Sequence, residues 1–263
     1  MQRTSQDYEN GIRKLAKGLR DFCGERQAVI GISGGVDSAL AAGIAKIGGV
    51  SMRMLHLPMG DSSPYAEVVR KALEGSGAAS GMSVVRITPI VNMVVEATAT
   101  GAGLRPPSDV LDKLVVGNIA ARVRMTILYA VSNICKGIVV GTSNKSERWL
   151  GYGTKHGDMA CDVNPLGELL KRDVVEMARI IGVPKEILAR APSAELWDGQ
   201  TDEGELGKTY KVIDGMIDNL EGGVSLEAAG NLAGGTASDL SWLFGMAAAS
   251  AHKRTQPVIL NPW

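Results

Sequence analysis

Cysteine is scarce in this 263-residue sequence, and aromatic side chains make up only 4% of it. The three cysteines (Cys23, Cys135 and Cys161) are far apart and form no CxxC pair, which argues against a disulfide framework and a zinc site. Neither sign of charge is in excess, because 28 basic residues balance 28 acidic ones. The chain therefore has no global field that attracts nucleic acid or an acidic membrane, and we expect neither as a partner.

The sequence also shows no secretion signal, and we expect that no apolar run is long enough to cross a bilayer. Together with the unpaired cysteines, this predicts a reduced, cytoplasmic protein. Hydrophobic residues make up 45% of the chain and charged residues 21%, a balance typical of a globular protein with a large core.

Short apolar runs alternate with helical patterns along the first two thirds of the chain. An amphipathic helix comes first, with Ile12, Leu15, Leu19 and Phe22 on its apolar face. Strands are predicted at 28–33, 52–58, 83–90 and 137–143, with helices between them. This order predicts an α/β fold, doubly wound, with a mainly parallel sheet and helices on both faces. Right-handed crossovers then place the carboxyl ends of all strands along one edge.

After Lys171 the pattern becomes helical, interrupted by a glycine- and acid-rich stretch at 191–207. That stretch is either a lid over a binding site or a disordered connector. The long helix predicted at 109–135 would measure about 40 Å at 1.5 Å per residue, more than one sheet needs as cover. It either packs in part against a second copy of the chain or is a fully buried core helix.

The stretch "GISGGVDS" (31–38) lies between a predicted strand and a predicted helix. Its glycines allow a polyanion to approach the backbone, and the amides at the start of the helix point toward a bound anion. The stretch matches neither GxxxxGK[ST] nor GxGxxG. An aspartate in such a loop would repel phosphate unless a divalent cation lies between them, so Asp37 is a candidate Mg²⁺ ligand. The alternative is that Asp37 only caps the helix.

A second carboxylate follows the strand at 137–143. Thr142 ends this strand and Glu147 follows shortly after, so both are expected at the same sheet edge as the glycine loop. We therefore predict that Glu147 binds the same Mg²⁺ as Asp37. The alternative for Glu147 is a solvated helix position beside Lys145 and Arg148.

The glycine loop resembles that of the N-type ATP pyrophosphatases, or PP-loop family, whose fold is Rossmann-like and adenine nucleotide alpha hydrolase-like. Later segments resemble the ammonia-dependent NAD⁺ synthetases within that family, and they occur in the family order over nearly the whole chain. These segments are "NIAARVRM" (118–125), "VVGTSNKSERWLGYGTKHGD" (139–158), "DVNPLGELLK" (162–171), "PSAELWDGQTDEGELG" (192–207) and "AHKR" (251–254).

This resemblance implies a reaction, a set of substrates and an assembly. The carboxylate of deamido-NAD attacks the α-phosphate of ATP, pyrophosphate leaves, and ammonia displaces AMP from the acyl-adenylate to give NAD⁺. It also implies a homodimer. The chain would be one domain, with a helix at 1–27, a nucleotide-binding core at 28–190, a lid loop at 191–207 and C-terminal helices at 208–263.

The resemblance also assigns roles to individual residues. ATP would be bound by Gly31, Ile32, Ser33, Gly34, Gly35, Val36, Asp37, Ser38, Thr142, Lys171 and Ser193. Deamido-NAD would be bound by Arg122, Lys155, Asp162, His252 and Lys253. Asp37, Glu147 and Asp162 would be catalytic, and Asp37 and Glu147 would bind Mg²⁺.

Simpler explanations exist for several of these residues. Arg122 and Arg124 face nearly opposite sides of a helix, and only the resemblance selects Arg122. Lys171 opens a helix, where a cation opposes the dipole, which hints at function. His252 and Lys253 close a helix, where basic residues complement the dipole in any case.

Three positions depart from the pattern of the relatives. They usually have an aromatic residue at Gly153, a tyrosine at His156 and a small residue at Met159. These departures flank the positions predicted to bind the nicotinate end of deamido-NAD.

Two other functions fit parts of the sequence. The first is another PP-loop adenylating amidotransferase or thiolase, although a tRNA-thiolating enzyme would need paired cysteines and a basic face. The second is a regulatory module that binds ATP without turnover, which would not need the Asp37–Glu147 pair. Only about thirty residues precede the glycine loop, too few for an amidohydrolase domain, so free ammonia or a separate subunit is the expected nitrogen source.

Overall fold

The computed structural model describes residues 3–60, 63–73, 79–101, 110–193, 199–255 and 259. Its strands are β1 (Ala28–Gly31), β2 (Met52–His56), β3 (Ala79–Val84) and β4 (Ile138–Val140). The helices of the first half are α1 (Ser5–Cys23), α2 (Val36–Ile47), α3 (Pro64–Leu73), α4 (Thr88–Gly101) and α5 (Val110–Cys135). Those of the second half are α6 (Lys145–Leu150), α7 (Lys171–Ile180), α8 (Lys185–Leu188), α9 (Asp202–Leu206), α10 (Tyr210–Glu221), α11 (Leu226–Leu232) and α12 (Ala237–Ala249).

All four strands are parallel, in the spatial order β3-β2-β1-β4. The order reverses at β1, which has the second strand of the chain on one side and the fourth on the other. Ligands of open α/β sheets bind beyond the carboxyl ends of the strands at such a reversal. The predicted α/β class with a doubly wound parallel sheet is confirmed, and the glycine loop follows the strand at the reversal.

Apolar side chains alternate between the two faces of the sheet and are buried on both. Ile30, Met54 and Val140 pack with α1, α2 and α7 on one face. Val29, Leu55 and Val139 pack on the other face with side chains of α5 and with Val91 of α4. Cover on both sides explains why these strands read as continuous apolar runs rather than alternating ones.

The helices after α9 form a third apolar cluster beside the sheet. Its buried side chains include Ile213 and Met216 of α10 and Leu243 of α12, and they pack against Leu150 and Leu170. Leu150 ends α6, and Leu170 lies immediately before α7. The cluster therefore fixes these two short helices, which carry predicted site residues.

The third predicted strand is wrong in position. Instead of 83–90, β3 covers Ala79–Val84, and α4 begins at Thr88. Pro89 explains the difference: it has no amide hydrogen for a sheet, whereas the first turn of a helix does not need one. The β-branched residues at 84–90 give a strand-like pattern to a stretch that contains the end of β3, a short connection and the start of α4.

Other boundaries need smaller corrections. Phe22, predicted on the apolar face of the first helix, is exposed, whereas Cys23 is buried. The stretch at 191–207 contains α9 and is not an unbroken loop, and its residues 194–198 lie outside the described ones.

The expectation that no apolar run could span a bilayer also needs correction. By length and composition, Lys113–Cys135 in α5 could cross a bilayer. In the structure, 33% of its most apolar window is buried. Core helices of soluble proteins pass the same test, and Val123, Met125 and Leu128 of α5 pack on the sheet. We therefore interpret α5 as a core helix with an uncovered side.

Candidate active site

A cavity of about 1010 Å³ opens at the carboxyl edge of the sheet. It is lined by the glycine loop, the ends of β2 and β4, the middle of α5 and the segment around α9. Of the predicted ATP-binding residues, all but Gly34 line this cavity: Gly31, Ile32, Ser33, Gly35, Val36, Asp37, Ser38, Thr142, Lys171 and Ser193. The residues that the sequence places at the carboxyl edge of the sheet therefore line one continuous pocket.

Gly34 is the position of the glycine loop where the backbone requires glycine, and it does not line the cavity. Its φ is +91°, in the region that favours glycine. A Cβ at this position would lie 2.8 Å from the Ala66 backbone nitrogen and 2.8 Å from the Tyr65 Cβ. The loop thus turns tightly against α3, which leaves its remaining residues to face the pocket.

We expect Gly34→Ala to lower the free energy of unfolding by about 1–3 kcal/mol, because the alanine is strained and clashes with backbone. The matched control is Gly18→Ala on the exposed side of α1, where nothing lies within 4 Å of an added Cβ. That change should stabilise the protein by up to about 1 kcal/mol through helix propensity. Chemical denaturation should show a loss of stability for Gly34→Ala and a gain for Gly18→Ala. Equal stabilities of the two variants would contradict this description of the loop.

Asp37 and Glu147, the two predicted metal ligands, converge on the ammonium of Lys171. Lys171 Nζ lies 2.6 Å from Asp37 Oδ2 and 3.1 Å from Glu147 Oε1. All three side chains are largely buried, with 5% of Lys171, 18% of Asp37 and 16% of Glu147 exposed. The acids thus belong to one cluster, although 110 positions separate them in the sequence (147 minus 37).

Local structure aims both carboxylates at this point. Asn144 caps α6 by accepting the Glu147 amide, and Glu147 Oε2 accepts the Asn144 amide at 3.1 Å. Asn144 Nδ2 also donates to Asp37 Oδ1 at 2.9 Å, which ties α6 to the glycine loop. Asp37 lies in the first turn of α2, where its charge also complements the helix dipole. Its hydrogen bonds to Asn144 and Lys171 show that it does more than interact with its own helix, and Glu147 is not a solvated surface residue.

Electrostatics explain how three ionisable groups share a buried position. Burial disfavours the Lys171 ammonium, but Asp37 and Glu147 outweigh this effect and raise the pKa of Lys171. Burial raises the pKa of Glu147 to about 8, although the charge of Lys171 acts in the opposite direction. The ammonium also lies 5.2 Å from the centre of the Tyr210 ring. Lys171 is therefore a fixed positive charge within the site.

A buried aspartate of α10, Asp214, holds the start of α7 where Lys171 lies. Asp214 accepts the Arg172 amide at 2.8 Å and the hydroxyl of Ser146, whose oxygen accepts the Lys171 amide at 3.0 Å. Two otherwise unpaired amides of the helix start are thus satisfied by side chains from other helices.

Asp214→Ala should lower the free energy of unfolding by about 1–3 kcal/mol, because it leaves buried donors unpaired. Asp218→Ala, one turn later on α10, removes a half-exposed partner of Arg172 and should cost less than about 1 kcal/mol. Denaturant midpoints of the two variants give the comparison. A smaller loss for the Asp214 variant would contradict its role at the α7 start.

The residues predicted to bind deamido-NAD divide into two groups. Lys253 lines the cavity and donates to the carbonyls of Gly151 and Gly153, both at 2.8 Å. The other four, Arg122, Lys155, Asp162 and His252, do not line it. The structure therefore brings only Lys253 of this set to the pocket of Asp37 and Glu147.

The outer residues have contacts of their own. Arg122 Nε donates to the Lys155 carbonyl at 3.2 Å, so these two residues are neighbours. Asp162 accepts the Val139 amide at 2.8 Å and the Tyr129 hydroxyl at 3.2 Å. His252 is exposed and contacts the Ala249 carbonyl at 3.2 Å. Asp162, predicted to be catalytic, is thus bonded to β4 and does not line the cavity that contains Lys171.

Two of the three departures from the relatives occupy the same space. A Cβ on Gly153 would lie 2.7 Å from Met159 Cγ and 2.7 Å from Asp158 Oδ2. Met159 therefore fills the volume that an aromatic side chain at 153 would need. The third departure, His156, has a φ of +64° at an exposed turn.

Sequence reasoning missed several residues of the cavity. His56 is buried, donates from Nδ1 to the Ile32 carbonyl at 2.7 Å, and accepts the Ser63 amide on Nε2 at 3.0 Å. Asp202 accepts the Tyr210 hydroxyl at 3.1 Å. Arg124 also lines the cavity. Asn144 does not line the cavity but orients its carboxylates, and it did have a sequence signal, because Asn followed three residues later by Glu is a capping-box pattern.

The chain is similar to known proteins over nearly its whole length. A sequence model of the family described as NAD synthase matches residues 10–257. The NH(3)-dependent NAD(+) synthetase of Methanocaldococcus jannaschii is 38% identical over 258 residues, covering 96% of this chain and 96% of that protein.

Two solved structures are also similar to this chain over nearly its whole length. The NMN synthetase of Francisella tularensis has a TM-score of 0.78 at 30% identity, covering 99% of this chain and 100% of that one. The NH3-dependent NAD synthetase of Campylobacter jejuni, in complex with the nitrate ion, has a TM-score of 0.75 at 25% identity, covering 97% and 99%.

Proposed function

The chain belongs to the NAD synthase family, and we infer that it is an ammonia-dependent NAD⁺ synthetase. It is a ligase that uses ATP to amidate deamido-NAD with ammonia, giving NAD⁺, AMP and pyrophosphate. The observation that carries this function is the convergence of Asp37, Glu147 and Lys171 behind a glycine loop in one large cavity. Such a cluster suits a reaction in which a triphosphate is held and pyrophosphate departs.

We propose that the ATP triphosphate lies along the glycine loop. The first amides of α2 have no partners within the helix and would bind phosphate oxygens, with Ser33 and Ser38 nearby. Lys171 and Thr142 would contact the same chain of phosphates, and Ser193 would contact ATP from the opposite wall. All of these residues line the cavity.

Mg²⁺ fits Asp37 and Glu147, whose carboxylates come within 3.1 Å of a common cationic atom. The described residues contain no group of three or more potential ligands for a metal, but Mg²⁺ needs only one or two carboxylates beside phosphate and water. We propose that these two side chains hold Mg²⁺ together with ATP. When bound, the ion would neutralise charge on the phosphates. Lys171 would then keep the two carboxylates close together.

We propose that deamido-NAD extends from Lys253 in the cavity toward the outer residues Arg122, Lys155, Asp162 and His252. Its carboxylate would meet the α-phosphate to form the acyl-adenylate, which ammonia resolves. Four of these five residues do not line the cavity. The dinucleotide would therefore extend beyond the cavity to reach them. The acidic segment around α9 is proposed to close over the nucleotides, as a lid that excludes water.

We also propose that the protein is a cytoplasmic homodimer. The neighbouring helices α4 and α5 carry exposed apolar side chains, among them Met93, Val94 and Val115. Exposed apolar side chains grouped on adjacent helices support an interface at this surface. The three free cysteines agree with a reducing compartment.

Met93→Lys should weaken the proposed dimer, because it places a charge on a side chain that is 69% exposed within the apolar patch. Leu232→Lys on α11, also 69% exposed, is the control and should leave the mass unchanged. Sedimentation equilibrium distinguishes the two variants. A dimer equally stable in both would place the interface elsewhere.

The function is tested by incubating the protein with ATP, ammonium and deamido-NAD while NAD⁺, AMP and pyrophosphate are quantified. The inference predicts equal amounts of the three products. Nicotinic acid mononucleotide should be tested in parallel, because an NMN synthetase shares this fold. If the amide forms only on the mononucleotide, the substrate is nicotinic acid mononucleotide and not deamido-NAD. ATP binding without AMP release would favour a regulatory module.

A further inference from the structure

Arg124 is a cavity residue to which neither the family motif nor the mechanism above gives a role. We propose that Arg124 binds an oxyanion of the reactants through its terminal guanidinium nitrogens, where the substrate carboxylate meets the α-phosphate of ATP. The proposal rests on the proposed function for the identity of the reactants. It makes Arg124 a catalytic residue, because its guanidinium touches the reacting groups.

The hydrogen bonds of Arg124 leave most of its donors unused. Nε donates to the Leu57 carbonyl at 2.9 Å, and this bond fixes the side chain on the end of β2. Within the described residues, Arg124 has no other hydrogen bond and no carboxylate within ion-pair distance. Asp158 acts on it only over a longer range. Arg124 is therefore held in place by its Nε atom, whereas its two terminal nitrogens remain available to bind a ligand.

Other cations of the cavity are satisfied by the protein itself. Lys171 pairs with two carboxylates, and Lys253 donates to two backbone carbonyls. Arg190 lies over the Tyr65 ring, with its Cζ 4.5 Å from the ring centre. Arg124 differs from these three because its terminal nitrogens have no such partner in the described part of the chain.

The surroundings of Arg124 favour an anion over water. Its cavity neighbours Leu57, Met125 and Leu128 are buried and apolar, so the guanidinium is poorly solvated. A partly buried cation whose counter-charge is not in contact is costly for a folded protein, and such a cost is typical of residues kept for a ligand. The planar fork matches the two oxygens of a carboxylate or of a phosphate. Both groups enter this pocket in the proposed reaction.

The test compares Arg124→Met, which keeps the length of the side chain but removes the charge, with Arg20→Met on the exposed side of α1. For Arg124→Met we expect kcat/KM to fall about 10²–10³-fold, the size typical of one lost oxyanion contact. We also expect its melting temperature to stay close to that of the wild type, because removal of an unpaired cation offsets loss of the hydrogen bond to the Leu57 carbonyl. The Arg20 variant should match the wild type in activity.

Calorimetric binding identifies which oxyanion is held. If Arg124 binds the substrate carboxylate, Arg124→Met loses affinity for deamido-NAD but keeps affinity for NAD⁺, which carries an amide instead. If it binds the α-phosphate, the affinity for ATP falls in the absence of the dinucleotide. Either loss supports the proposal. Turnover within about threefold of the wild type, or activity and melting temperature falling together, would overturn it.

The proposal and the proposed function fail in different ways. If the wild-type protein forms no amide but Arg124→Met still loses ATP affinity, the oxyanion site stands and the reaction is wrong. If the wild type forms NAD⁺ and Arg124→Met does so equally well, the reaction stands and Arg124 is a structural residue.

Discussion

Lys171→Met should lower turnover by about 10³-fold or more and the free energy of unfolding by about 3–5 kcal/mol, the cost of removing one partner from a buried ionic cluster. The Lys171 side chain is 5% exposed, and its ammonium lies between Asp37 and Glu147. Without it, two carboxylates face each other in a poorly solvated position. The variant therefore loses both a cation for the phosphates and the group that holds the acids together.

Two further variants separate these effects. Lys211→Met removes an exposed lysine of α10 and should change neither quantity. The double variant Lys171→Met/Glu147→Gln should recover part of the lost stability, since one buried charge is gone, but none of the turnover. Activity and urea denaturation measured on the same preparations separate the loss of turnover from the loss of stability. Near wild-type turnover in Lys171→Met would show that the ammonium only supports the fold.

Asp37→Asn should also lower turnover by about 10³-fold, because a metal that neutralises phosphate charge contributes several kcal/mol to catalysis. The change keeps the shape of the side chain and leaves Lys171 paired with Glu147. We therefore expect little loss of stability. Glu147→Gln should act on the same ion and raise the Mg²⁺ concentration needed for half-maximal rate.

The control for these variants is Asp21→Asn on α1, where the aspartate forms an exposed i,i+4 pair with Lys17. Rates measured across a series of Mg²⁺ concentrations compare all three proteins. A wild-type Mg²⁺ dependence in both the Asp37 and the Glu147 variants would remove the two-carboxylate site from the account.

The sequence was informative wherever a local pattern and a fold rule point in the same direction. Buried apolar runs such as that at β1 define a parallel sheet, and strand ends of a parallel sheet share an edge. Asp37, Thr142 and Glu147 follow such strand ends, and they line one cavity. The resemblance added Lys171 and Ser193, which line the same cavity.

Local patterns failed where long-range contacts decide the structure. Lys171 opens α7 against the helix dipole, and the compensating carboxylates lie 134 and 24 residues away. Nothing near Asp202 or Tyr210 in the sequence indicates that they meet beneath the site. The segment around Pro89 was predicted as a strand because β-branched residues dominate its pattern, although a proline suits the first turn of a helix.

Transfer of oxygen from the substrate carboxylate to AMP tests the central claim most directly. Deamido-NAD labelled with ¹⁸O in both carboxylate oxygens would be converted with ATP and ammonium, and the products would be analysed by mass spectrometry. Attack at the α-phosphate predicts one ¹⁸O in AMP, one in the amide of NAD⁺ and none in pyrophosphate. Label in inorganic phosphate together with formation of ADP, or AMP without label, would contradict the account.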